Sequence, residues 1–245
     1  MLGDTLPRQR TLPTLAWTGA GALALIVAQL LGVLLCILAL RLTTGAQLHL
    51  HAGGREMAPT LLGSVVLSAV WTILFVWGLT RIRTPEVGEY LALRWPTPRQ
   101  FGIGIAAFIA FMIAQALLAR YLEASGDAKF MLDLVSSARA ANAMPLVVGA
   151  VILAAPIGEE LAFRGFLYRT LELKFSGIVA IVVTALGWAA LHIQYSLTAI
   201  LVIFAGGLLF GAIRRYSGSL YLTMIMHALW NGAALAGALM LTSKV

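Results

Sequence analysis

Seven times along this chain an apolar stretch of about twenty residues is closed off by charge, glycine or proline. A helix needs roughly that length to cross about 30 Å of hydrocarbon, and in lipid the backbone must satisfy its own hydrogen bonds. The stretches run roughly over 14–40, 60–80, 101–121, 144–170, 176–195, 196–214 and 220–240, and the fifth and sixth are separated only by Gln194, Tyr195 and Ser196. The expected fold is therefore all-α, a polytopic transmembrane helix bundle of about seven spans. With 60% hydrophobic and 11% charged residues, the chain lacks the polar surface that a soluble domain of its length requires.

The distribution of charge argues against nucleic acid and for a membrane. The formal net charge is +7, but the basic residues lie in short loops between apolar stretches. Arg8 and Arg10 precede the first stretch, which from Leu15 to about Leu40 is longer than a signal-peptide core, so an uncleaved anchor is expected. With a cytoplasmic N-terminus, that side holds Arg8, Arg10, Arg81, Arg83, Arg94, Arg99, Arg169, Lys174, Arg214 and Arg215. The other side holds Arg41, Arg55, Arg120, Lys129, Arg139 and Lys244, and Arg164 lies within a span. Ten against six predicts an N-terminus inside and a C-terminus outside, in the plasma membrane.

Two segments outside the spans carry expectations of their own. Residues 84–100 read as a cytoplasmic loop with Tyr90 and Trp95 suited to the interface. Residues 123–143 read as a short amphipathic helix around Phe130, Met131 and Leu134, either on the membrane surface or packed on the bundle. Gly206, Gly207 and Gly211 suit close helix packing. The single cysteine, Cys36, excludes an intrachain disulfide and reads as a packing residue. His49 and His51 resemble a metal pair, but in an exterior loop they read as non-catalytic.

Ionisable groups inside the spans concentrate in three places. The fourth span holds Glu159, Glu160 and Arg164, the fifth ends in Trp188 and His192, and the seventh contains His227 and Asn231. A charged group at a helix centre costs about 2.5–3.5 kcal/mol on insertion scales, so such residues mark function unless paired. Glu160 and Arg164 are one turn apart and can pair, while Glu159 is turned about 100° away and is left for another role. Pro156 cannot donate a backbone hydrogen bond, which predicts a kink that admits water. A glutamate in apolar surroundings is a stronger base, suited to take a proton from water. Glu159 and His192 would share that water, and His227 and Asn231 would donate to an oxyanion. Each residue also has a plain reading: Glu160–Arg164 as a structural pair, Trp188 as packing, either histidine as a hydrogen-bonded core residue, and Asn231 as a link between helices. Zinc held by Glu159, His192 and His227 is the alternative, but H-E-x-x-H is absent and Arg164 would repel a nearby cation, so no cofactor is preferred.

Taken in order, Glu159-Glu160-Leu-Ala-Phe-Arg164, Trp188-x-x-x-His192 and His227-x-x-x-Asn231 resemble the CPBP family, also called Abi: CAAX proteases and bacteriocin-processing enzymes. That family carries E-E-x-x-x-R, F-x-x-x-H and H-x-x-x-N or H-x-x-x-D on successive membrane helices. The resemblance covers about 144–240, dividing the chain into a catalytic bundle over 144–245 and an N-terminal region of three spans, 1–143, with no assignable motif. It implies that Glu159 and His192 activate water, that His227 and Asn231 form the oxyanion hole, and that Glu160 and Arg164 support them. Type II CAAX prenyl endopeptidases are the best-known members; others resemble lysostaphin-resistance protein A or confer self-immunity to bacteriocins. Trp188 stands where the family usually has Phe, and its prenyl proteases are usually read with eight spans.

The expected activity is an intramembrane endopeptidase acting on a membrane-anchored or lipidated protein or peptide, with the bilayer and that substrate as partners. A non-proteolytic adaptor and a transporter are the rivals, although no inverted repeat supports the latter. Glu159 lies ten residues, roughly 15 Å, from Arg169, so the site is expected to open to water on the cytoplasmic side.

Overall fold

A computed structural model describes residues 14–44, 57–121 and 129–242. Among the described residues there are helices, turns and short irregular links but no strand. Six helices among them are long and apolar enough to cross a membrane. They are α1 (Thr14–Thr44), α2 (Met57–Arg83), α4 (Pro98–Tyr121), the broken helix Met144–Glu172, α10 (Leu197–Ser217) and α11 (Leu220–Thr242). Three shorter helices are α3 (Val87–Tyr90), α5 (Lys129–Ala140) and α9 (Gly177–Ala190). The fifth expected span, 176–195, is thus helical over 14 residues only. At 1.5 Å per residue that is about 21 Å, short of the hydrocarbon thickness of about 30 Å.

The broken helix is the centre of the bundle, packing against α1, α2, α9, α10 and α11. It consists of α6 (Met144–Val148), a π-helical stretch Gly149–Ala154, α7 (Ala155–Glu160), a second π-helical stretch Leu161–Leu167 and α8 (Tyr168–Glu172). The first π stretch answers the problem set by Pro156. Ala155 donates its N–H to Ala150, and Pro156 has none to give, so the Val151 carbonyl has no donor within its own helix. Asn231 of α11 supplies one, its Nδ2 donating to that carbonyl at 2.9 Å. The expected kink is therefore a widened turn, closed by a side chain from another helix.

Hydroxyl and small residues bring the other helices together. Thr60, Ser64, Ser68, Thr72 and Thr80 form a buried stripe down α2, and Ser68 Oγ donates to the Gln29 carbonyl of α1. Large apolar side chains such as Leu30, Leu34, Ile113 and Leu117 point outward instead, as a lipid-facing surface requires. α10 approaches α9 at Gly207, where a Cβ would lie 3.0 Å from the Ala185 Cβ and 3.2 Å from the Trp188 ring.

The helix ends define two faces. At the first, Arg83 of α2 lies over Trp17 of α1 at 5.9 Å, Arg94 donates to the Gly218 carbonyl at 2.7 Å, and Leu220 donates to the Ala92 carbonyl. At the opposite face, Cys36 reaches the Thr60 carbonyl at 3.3 Å, Phe130 of α5 meets Tyr195 edge-on at 5.3 Å, and Arg139 donates to the Thr242 carbonyl. α5 packs on α2, α6 and α11, burying Leu134, Val135 and Ala138, so the amphipathic segment joins the bundle. Tyr90 departs from expectation. It is buried against Phe166 because α3 folds back under the bundle, whereas Trp95 is exposed beside Tyr221. His49 and His51 lie outside the described residues.

Overpacking the α9–α10 approach should be costly. Gly207→Leu is expected to lower stability by about 1–3 kcal/mol, read as an earlier thermal transition of the detergent-solubilised protein.

Candidate active site

Glu159, Trp188, His192, His227 and Asn231, drawn from three separate helices and the end of one of them, line a single cavity of about 470 Å³. Glu160 and Arg164 lie behind its wall, both fully buried. The sequence-expected residues thus converge, and the structure divides them into a layer that faces the cavity and a layer that holds it.

The holding layer is an ion pair without solvent. Arg164 Nη1 donates to Glu160 Oε1 at 2.9 Å, the one-turn spacing that the sequence offered, and Nη2 donates to the Gly207 carbonyl at 3.4 Å. The bare glycine backbone at 207 is what lets the guanidinium reach α10. The guanidinium carbon also sits 4.4 Å from the centre of the Trp188 ring and 5.5 Å from that of Phe210, so two π faces complete its surroundings. Glu160 Oε1 accepts a second hydrogen bond, from His227 Nδ1 at 3.2 Å.

In the facing layer, Glu159 is partly open to the cavity, its side chain 26% exposed. Trp188 Nε1 donates to Glu159 Oε2 at 2.5 Å, and His227 Nε2 stands 4.0 Å from the same oxygen. His227 therefore bridges the glutamates, one ring nitrogen toward each. Trp188 is also the hub of the aromatic lining: the rings of His192, His227 and Trp230 meet it edge-on at 5.3, 5.2 and 6.2 Å. The sequence marked Trp188 only by its place in a motif. Its indole donor to Glu159 is a contact that Phe could not make.

The hydrogen bonds assign the histidine tautomers. His192 Nδ1 lies 2.9 Å from the Trp188 carbonyl, which can only accept, so Nδ1 carries the proton and Nε2 keeps its lone pair. His227 Nδ1 faces a carboxylate paired with arginine and so donates as well. Its Nε2 points toward Glu159 Oε2. Asn231 Nδ2 already holds Val151, leaving its second N–H for the cavity.

Tyr195 was missed in the motif reading, since it entered only as a loop marker. It lines the cavity and stacks on His192 with ring centres 6.1 Å apart. Among the described residues no three His, Cys, Asp or Glu side chains are grouped to hold a metal ion.

The mouth is where two expectations collide. The cavity is bounded by Leu61 and Leu62 at the start of α2, Leu118 and Ala119 at the end of α4, Phe130 of α5 and Thr198 at the start of α10. All lie toward the face opposite Arg83, Arg94 and Arg169. A cytoplasmic N-terminus and a cytoplasmic mouth are therefore incompatible: the ten residues from Glu159 to Arg169 run away from the opening.

Residues 141–233 match the family model described as "Rce1-like: Type II CAAX prenyl endopeptidase Rce1-like". The matched stretch contains Glu159, Glu160, Arg164, Trp188, His192, His227 and Asn231. The likeness is to that family model and extends over this stretch of the chain, within the apolar helices described above. No curated protein and no solved structure matches the chain.

The buried pair gives a direct stability test. Arg164→Met leaves Glu160 charged in the core and is expected to cost about 3–5 kcal/mol. The double variant Glu160→Met with Arg164→Met should recover part of that loss, measured by thermal unfolding in detergent.

Proposed function

We propose that this protein is an intramembrane endopeptidase that hydrolyses a peptide bond of a membrane-anchored or lipidated protein, using water activated by Glu159 and His192. The observation that carries the reading is the division of the two adjacent glutamates: Glu160 is locked to Arg164 and His227, while Glu159 faces the cavity.

The proposed reaction begins with a water between Glu159 and His192. Glu159 takes a proton, and His192 Nε2, with its lone pair free, orients or shares it. The water oxygen forms a bond to the carbonyl carbon of the peptide, and the carbonyl oxygen becomes an oxyanion. His227 Nε2–H and the second N–H of Asn231 donate to it. The C–N bond then breaks as the proton held by Glu159 passes to the leaving nitrogen, releasing a carboxylic acid and an amine. Trp188 positions Glu159: its N–H fixes the carboxylate, and the Arg164 cation against its ring keeps the indole in place. The apolar walls accept lipid chains or apolar side chains of a membrane-anchored substrate.

The purified protein in detergent should cleave members of a panel of membrane peptides that includes prenylated C-a-a-X peptides. Glu159→Gln and His192→Ala are each expected to lower kcat/KM by about 10²–10⁴-fold, as loss of a general base does. Activity that survives a chelator and fails in both variants supports the reading; activity lost with chelator and restored by zinc contradicts it. Trp188→Phe keeps the ring but removes the donor, and kcat is expected to fall about tenfold with KM nearly unchanged. An unchanged kcat would remove Trp188 from its positioning role.

A further inference from the structure

The residues that line the cavity lie toward one end of the bundle, so the side of the membrane that end faces selects the substrates. We propose that the mouth faces the extracytoplasmic side, and that the substrates are apolar, membrane-anchored peptide segments presented there. This proposal rests on the proteolytic reading for its substrate class, but not for its sidedness.

Charge gives the first argument. Among the described residues, eight Lys and Arg (Arg81, Arg83, Arg94, Arg99, Arg169, Lys174, Arg214 and Arg215) sit at the face away from the cavity. Four (Arg41, Arg120, Lys129 and Arg139) sit at the face of the mouth. All lie within loops or helix ends short enough for basic residues to set orientation, and the richer face is held in the cytoplasm.

Helix length gives a second and independent argument for where water enters. α9 starts at the arginine-rich face, its Gly177 packed against the Arg215 side chain, and stops at Ala190 after about 21 Å. Residues 191–196 then leave the helix as turns before α10 begins at Leu197. Irregular backbone within the hydrocarbon is tolerated only where it lines a cavity or is covered by protein. Here it carries His192 and Tyr195 into the cavity wall, and Gln194 stands exposed at the rim. The missing turns of α9 open a recess on the arginine-poor face, so water reaches the glutamate from that side.

The rim indicates what enters. Among the described residues, Leu118 of α4 and Phe130 and Met131 of α5 line the cavity, and Leu197 of α10 is exposed beside it. A segment with apolar side chains flanking the scissile bond fits such a rim, and a strongly charged one does not.

The test reads sidedness in intact cells that express the full-length chain with Cys36→Ser. Single cysteines are placed by Gln194→Cys at the rim, Tyr121→Cys at the same face and Thr97→Cys at the arginine-rich face. A membrane-impermeant maleimide is expected to label the first two equally before and after permeabilisation, and Thr97→Cys only after it. Labelling of Thr97→Cys in intact cells, or of the other two only after permeabilisation, overturns the proposal. No turnover is needed, so a chain without protease activity still reports its orientation. Cleavage in detergent, where both faces are open, tests the proteolytic reading separately.

Discussion

A glutamate and an arginine with no access to solvent sit at the middle of this bundle, and the remaining geometry is arranged around keeping them there. Glu160 and Arg164 occupy one face of the broken helix, and neither would be tolerated in the hydrocarbon alone. Their residual hydrogen-bonding capacity reaches outward to other helices: Arg164 to the Gly207 carbonyl of α10 and to the Trp188 ring of α9, Glu160 to His227 of α11. One pair thus ties four helices together. The groups it ties are those that meet Glu159.

The two neighbouring carboxylates behave differently because of a 100° turn of the helix. Glu160 faces the packed interior and is neutralised. Glu159 faces the cavity and is held by neutral or shared donors, the Trp188 indole and the edge of His227. A carboxylate paired with arginine is a poor base; one held by a single indole N–H in a partly wet cavity is placed to take a proton. The Pro156 defect sits on the same helix one turn before it. By leaving Val151 without a helical donor it recruits Asn231, so the irregularity that widens the helix also fixes the position of α11 beside the cavity.

Much of this was legible in the sequence because polar residues stand out against an apolar background. Glu159, Glu160, Arg164, His192, His227 and Asn231 are few enough that their spacing gave helix faces directly, and the Glu160–Arg164 pair formed as the one-turn rule requires. What could not be read was direction and length. The indole of Trp188 has the same one-letter symbol whether its N–H meets a carboxylate or lipid. The end of α9 at Ala190 leaves no charge or proline to mark it, since Leu191, Ile193 and Leu197 continue the apolar run. Without that end the opening was expected toward Arg169, by counting residues from Glu159, whereas the residues lining the cavity lie toward the other end of the bundle. Tyr90 was placed at the interface because aromatic residues in loops usually sit there, but the fold-back of α3 buries it. The hydroxyl stripe of α2, at strict four-residue spacing over most of its length, was visible in the sequence and passed over as background.

The central claim is that Glu159 activates water without itself bonding to the substrate. Single turnover of a cleavable membrane peptide in ¹⁸O-water, followed by mass spectrometry of product and protein, separates the alternatives. The account predicts one ¹⁸O in the newly formed carboxyl terminus and none in the protein fragment containing Glu159. Incorporation of ¹⁸O into the Glu159 carboxylate would signify an acyl-enzyme anhydride and contradict it.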